Sequence, residues 1–347
     1  MRARYFNLCG VALLLASLTA GCTSIPTTAT LWAPGSSLGL VSGGGGKGEN
    51  EGMPVTGVTS ALYQTEIGPI AWKGVQLATM TAGSPKLWNA PSDRYGMALA
   101  VASKSIGWAA GAGIVRYEAG NGWTTEATDM EAALSPTAPS SQRVVLTDIA
   151  VTPAGDVGFA VGTKGTVLKY NAVSKTWAKQ QLSEAVKGKN FGSLKVFAAD
   201  DVWVAGETLL HYDGTAWTEH VFAGGVSGLA ANAPNNVWIS TTDGLHRWNG
   251  TTWEHAFPVD GRTVGAPRIV QFGDKVVGMA VESGVPMGEV YVLTETTWSR
   301  ETVTIPREVA FDTVVLADEN TAYAKTYDNS GVWKYDLKNR VWSRFSD

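Results

Sequence analysis

Four histidines are the residues of this 347-residue chain best suited to proton transfer or metal ligation near neutral pH. His211 and His220 lie in "LHYDGTAWTEH", His246 and His255 in "LHRWNGTTWEHA". The two stretches read as copies of one repeat, so their histidines read as framework residues, and no H-E-x-x-H spacing occurs. Nucleophilic chemistry has no better footing. There is no G-x-S-x-G elbow, and the only cysteines, Cys9 and Cys22, fall at the N-terminal end. Asp and Glu gather in turns, which gives no support to paired-carboxylate hydrolysis. Gly43–Gly48 contains Lys47 but has Gly48 where a phosphate loop requires Ser or Thr. No enzyme, metal or cofactor is predicted.

Charge narrows the partners. The formal net charge is −4, and loss of Arg2 and Arg4 with a cleaved leader would make it more negative. Lysines and arginines are scattered, so the basic stripe that nucleic-acid phosphates demand is missing.

The N-terminus gives an address. Arg2 and Arg4 precede the apolar run "LCGVALLLASLTA", which has the length of a signal-peptide core and is too short to span a membrane. "LTAGC", residues 18–22, resembles the lipobox of bacterial lipoproteins, with Thr19 at the usual leucine position and Leu18 one step earlier. The resemblance implies cleavage after residue 21 and lipid, palmitate included, on Cys22. Thr23 is not the aspartate associated with inner-membrane retention, so the outer membrane of the cell envelope is the expected location. Residues 22–54 are rich in Gly, Ser and Thr and read as a tether that could contribute to a first sheet.

Residues 55–347 read as one repeat domain. Trp123, Trp177, Trp217, Trp253, Trp298 and Trp342 recur 36 to 54 residues apart, each after a turn. "DVWVAGETLLHYDGTAWTEH" (201–220) shows the grammar: short β-rich runs, an Asp213-Gly214 turn, then a strand carrying the tryptophan. Asp213-Gly214 and Asn249-Gly250 suit type I′ turns. Val202–Ala205 is apolar at every position, so both faces of its sheet must be covered. A period of this size with doubly covered sheets predicts an all-β propeller of four-stranded antiparallel blades, with no helix. Seven blades are expected, with "TATLWAP", "SLGLVSGG", "VTGVTSALYQ" and "IAWKGVQLAT" as the degenerate first one and Trp72 in its tryptophan place. Six blades plus an irregular N-terminal arm is the alternative.

The unit "DVWVAG…LLHYDGTAW" resembles the bacterial propeller repeats of sialidase-like and photosynthetic assembly-factor proteins. "VWKYDLKNRVW" and "LKYNAVSKTW" are similar to kelch-type and quinone-binding-type blades. Asp213 and Gly214 are adjacent, whereas sialidase repeats space them by one residue. Such an enzyme would also need clustered arginines; Arg116, Arg247, Arg262 and Arg268 are far apart in sequence.

The longest interruptions, 80–96, 128–143, 183–192, 258–267, 282–288 and 327–331, are expected on one rim, and repeat proteins place binding surfaces there. On that rim Trp88, Arg94 and Tyr95 of "KLWNAPSDRY", with Phe191 and Arg262, are the predicted binding residues. The expected function is a lipid-anchored envelope scaffold that binds another envelope protein. Propeller lipoproteins of the barrel-assembly machinery and of photosystem assembly offer a fold-level analogy. A glycan- or ligand-binding surface lipoprotein is the alternative, and a diverged glycan-cleaving propeller a further one.

Overall fold

The computed structural model of the protein describes residues 59–65, 67–80, 86–255, 268–272, 275–281, 288–294, 297–302, 311–318, 320–326 and 331–345. Seven sheets follow one another along these residues, here called blades: 59–89, 98–125, 146–179, 191–220, 228–255, 268–302 and 311–345. In each blade four strands pair antiparallel in chain order. The first strand of every blade lies beside the first strand of the next, and that of the last blade lies beside that of the first. The chain is a β-propeller.

Packing between sheets explains the ring. In the second strand of blade 4, Asp201–Gly206, residues 202 to 205 are all buried although they alternate between faces. A sheet covered on both sides needs a neighbour on each. The contacts are aromatic. Trp108 of blade 2 meets Tyr170 of blade 3 at 5.6 Å between ring centroids. Phe159 of blade 3 meets Trp217 of blade 4 at 6.3 Å. Trp203 of blade 4 meets Trp253 of blade 5 at 5.8 Å, nearly perpendicular. Burying one indole removes about 200 Å² from water, an upper contribution of about 5 kcal/mol.

The tryptophans of the repeat occupy the outermost strands. Trp123, Trp177, Trp217, Trp253, Trp298 and Trp342 each pair with an aromatic residue or leucine of the third strand, as in Tyr212↔Trp217 and Tyr335↔Trp342. Before Trp177, Trp217, Trp253 and Trp342 these turns are Asx turns, closed by Asn171, Asp213, Asn249 and Asp336. Asp213 Oδ1 accepts from the backbone N–H of Thr215 and Ala216, both at 2.8 Å. Asn249 Oδ1 does the same for Thr251 and Thr252, at 3.0 and 2.9 Å. Gly214 and Gly250 take positive φ, of 90° and 99°, but Asp213 and Asn249 do not. The expected type I′ geometry is therefore corrected: the acid or amide side chain closes the turn, and only the glycine needs left-handed backbone.

The expected propeller of uniform four-stranded blades is corrected in three further ways. Blade 1 draws on only two of the stretches named above: "VTGVTSALYQ" supplies its first strand and "IAWKGVQLAT" its second and third. Its strands are Thr59–Thr65, Gly68–Lys73, Gln76–Thr79 and Lys86–Asn89, and the expected contributions of residues 22–54 lie outside the described residues. Trp72 sits in its second strand, not in the tryptophan strand. Blade 3 has a fifth strand, Ala127–Thr128, paired parallel to the outermost strand Thr176–Lys179. Finally, one helical turn, Glu131–Leu134, and one 3-10 turn, Asp93–Tyr95, occur in the connections. Among the described residues no helix is long and apolar enough to cross a membrane.

Among the described residues the ring closes without a shared strand, since the four strands of blade 1 and those of blade 7 each follow one another in the chain. Leu62, Ala71 and Met80 pack against Val315, Tyr323 and Val332. Across the same seam the Leu316 N–H donates to Gln64 Oε1 at 2.7 Å.

Candidate functional site

In an antiparallel blade, the second-to-third-strand turn and the connection to the following blade emerge on one rim. Among the described residues the blade-to-blade connections here include 90–97, 126–145, 180–190 and 221–227, whereas the opposite rim has short turns such as 119–121 and 199–200. The long connections are not loose. Leu134, Ala138 and Val144 of the 126–145 connection are buried, as are Val186 of the third and Val226 of the fourth. Each connection thus inserts an apolar anchor beneath a polar surface.

The connection 126–145 starts from a buried carboxylate that no sequence pattern marks. Glu126 Oε2 accepts the indole N–H of Trp108 at 3.0 Å and that of Trp177 at 2.6 Å, so it bridges blades 2 and 3. Its burial pushes its pKa up, against the pull of the two indoles and of the nearby Arg116 guanidinium. Its partners stand 18 and 51 residues away.

The predicted binding residues are placed differently from one another. Lys86–Asn89 is the outermost strand of blade 1 and not a rim loop, and Trp88 is only 1 % exposed. Its ring stacks on Tyr117 of blade 2 at 4.2 Å, and its N–H donates to Lys104 O at 3.0 Å. Gly107 leaves room for it: a Cβ there would lie 2.5 Å from Trp88 Cη2. Tyr95 is buried in the same cluster, and Phe191, 1 % exposed, opens the first strand of blade 4 inside the core between blades 3 and 4. These three do not offer ring surface to a partner, which corrects their expected position. Arg94 is exposed on the rim, its guanidinium 4.5 Å from the centre of the Tyr95 ring and hydrogen-bonded to the Tyr95 hydroxyl. Arg262 and the 258–267 loop lie outside the described residues, as does Cys22. The same rim exposes Val75 and Val221.

Two further features lie on the first strand of blade 3 and on the rim of blade 5. In the first strand of blade 3, Asp148 accepts from its neighbour's Ile149 N–H at 2.9 Å and from Leu194 N–H of blade 4 at 2.7 Å. Desolvation pushes its pKa up to about 7, with both backbone donors opposing. On the rim, Asp243 lies in the turn between the second and third strands of blade 5, with His246 and His255 on its third and fourth strands.

The histidines correct the repeat alignment. Tyr212 pairs with Trp217 in blade 4, as Trp248 does with Trp253 in blade 5. Counting back from these pairs, His211 matches Arg247, while His246 and His255 match Leu210 and Glu219. The two histidine pairs are therefore not equivalent. A slip of one residue in a strand exchanges its faces. His211 and His220 stack on Trp203, at 4.0 and 5.7 Å, and Trp253 Nε1 donates to His220 Nδ1 at 3.3 Å. His246 and His255 face each other directly across two strands. Aligning on Asp213-Gly214 and Asn249-Gly250, instead of on the shared "LH", reveals the difference in the sequence itself.

Neither a family profile nor a curated protein sequence matches the chain. Solved structures do. YCF48 bound to D1 peptide is 12 % identical with a TM-score of 0.53, covering 71 % of this chain and 80 % of that one. The RRP9 WD40 repeats are 10 % identical with a TM-score of 0.55, covering 88 % and 96 %. A chain of the Mitotic Checkpoint Complex is 10 % identical with a TM-score of 0.53, covering 70 % of this chain and 75 % of that one. At these identities the likeness is one of fold alone, a β-propeller.

Proposed function

We propose that the propeller is a protein-binding scaffold, held at a bacterial envelope membrane by lipid on Cys22, and that it grips its partner with the rim of blade-to-blade connections. The observation that carries this reading is the anchoring of that rim. Tyr95, Leu134, Val186 and Val226 pin successive connections to the core. A surface fixed before binding loses little conformational freedom when a partner arrives. Arg94 and Val221 supply an exposed forked donor and exposed apolar area on it. The propellers of YCF48 bound to D1 peptide and of the Mitotic Checkpoint Complex lend support by analogy of fold. The lipobox-like "LTAGC" supports the anchor, with the outer membrane as its site.

Cross-linking in intact membranes tests the reading. The unaltered protein should yield one stoichiometric cross-linked protein. The double variant Arg94→Glu, Val221→Asp should lose it, and Val173→Asp, an exposed change on the opposite rim, should keep it. Equal capture by all three would remove the rim from consideration. Metabolic labelling with a palmitate analogue should disappear in Cys22→Ser; persistent label would remove the anchor.

A further inference from the structure

We infer that Asp243, His246 and His255 form a binding site for a divalent transition-metal ion of the zinc type on the rim of blade 5. Their ligand atoms all lie within 4.8 Å of one another. His246 Nε2 is 3.1 Å from Asp243 Oδ1, and His255 Nε2 is 3.1 Å from the Asp243 carbonyl oxygen. The two imidazole rings are 4.7 Å apart and tilted by 30°. Directly opposed residues on antiparallel strands hold their Cβ atoms about 5 Å apart, a span that lets two imidazoles converge on one ion with ligand bonds of about 2.0 Å.

The propeller framework does not require these side chains. Blade 4 carries Leu210 and Glu219 at the register positions of His246 and His255, and Glu219 there is bound by Lys189 at 2.6 Å and by the Thr208 hydroxyl at 2.8 Å. Blade 5 thus replaces a leucine and a lysine-paired glutamate with two imidazoles, beside a carboxylate in the adjoining turn. The Thr241 hydroxyl donates to Asp243 Oδ1 and orients the carboxylate beside the two imidazoles. The Phe222 ring, 5.0 Å from His246, walls one side.

Two imidazoles and a carboxylate suit zinc, with copper(II) and nickel(II) as chemical relatives, and not the all-oxygen shell of calcium or magnesium. Three protein ligands leave a fourth position open to water or to a donor atom of a bound molecule. On binding, His246 Nε2 exchanges its contact with Asp243 for the metal, so it must present its lone pair there and carry its proton on Nδ1.

The test uses the detergent-extracted full chain without a polyhistidine tag and Zn²⁺ alone, competed against a chromophoric chelator. One equivalent should bind. His246→Ala and His255→Ala should each weaken binding at least tenfold, and Asp243→Asn should weaken it several-fold. His211→Gln, which alters the other histidine pair, should leave the affinity unchanged. Substitution of Co²⁺ should give the visible bands of a four-coordinate site in the parent and lose them in His255→Ala. Circular dichroism of each variant separates loss of the site from loss of the fold. Absence of stoichiometric binding by the parent, or equal affinity in a folded His255→Ala, would overturn the site.

Discussion

Glu126 accepts the indole N–H of Trp177 at 2.6 Å, a hydrogen bond between residues 51 apart in the chain. The same oxygen takes the indole of Trp108, so one carboxylate satisfies a tryptophan from each of two adjoining blades. Glu126→Ala leaves two buried donors without an acceptor, at about 1–3 kcal/mol each. The expected loss in a denaturant titration is about 2–6 kcal/mol. Glu126→Gln keeps one acceptor oxygen and should lose less.

Asp148 makes stability depend on pH. Its folded pKa of about 7 lies above the ordinary 3.8, so between those values the folded protein holds a proton that the unfolded chain has released. Its contribution is therefore most favourable below about pH 4 and is lost as pH rises toward 7, by at most about 1.4 kcal/mol per pH unit. Asp148→Asn stays neutral and can still accept from Leu194. Denaturant midpoints measured from pH 4 to pH 8 should decline less steeply in that variant than in the parent.

Gly107 and Trp88 should be energetically coupled. A Cβ at 107 would meet the Trp88 ring at 2.5 Å and the Ala100 carbonyl at 2.9 Å. Gly107→Ala is expected to destabilise by about 1–3 kcal/mol, the usual range for overpacking. Trp88→Phe removes the clashing ring edge but also the indole bond to Lys104. In the double variant the two losses should sum to less than the singles predict, by more than about 0.5 kcal/mol.

Gly214 holds a φ of 90° and faces Asp200, whose Cβ would lie 2.6 Å from an added methyl. Gly214→Ala should lower the unfolding midpoint, with about 1–2 kcal/mol from left-handed backbone alone. Gly188, also at positive φ but with nothing within 4 Å of an added Cβ, serves as the comparison and should lose less.

How far the sequence discloses this molecule depends on whether the signal is local. The tryptophan strands and the turns before them are legible because each lies within about ten residues of its partner. Even there, turn geometry is not: Asp213-Gly214 marks the place of a turn but not that the aspartate stays out of left-handed backbone. Trp88 is misread because its strand is short and follows Gly83, Ser84 and Pro85, which look like loop. Its ring reaches the second blade only after Gly107 has made space, a match between residues 19 apart. Glu126 is silent in "TTEATD", since nothing nearby discloses that two distant indoles need an acceptor. The histidines are a different failure. Alignment on the common Leu-His pair shifts the strand by one residue and merges two unlike pairs into one.

The seam between the first and last blades has a mechanical meaning. Every other neighbouring pair of blades is joined by continuous polypeptide, whereas here, among the described residues, packed side chains and the Gln64–Leu316 hydrogen bond join the two. Load drawn through the N-terminal segment enters the circle at this joint, so blade 1 should peel away first, leaving the remaining six as an open arc. A tension sensor or a partner that clasps both sides would act most strongly there.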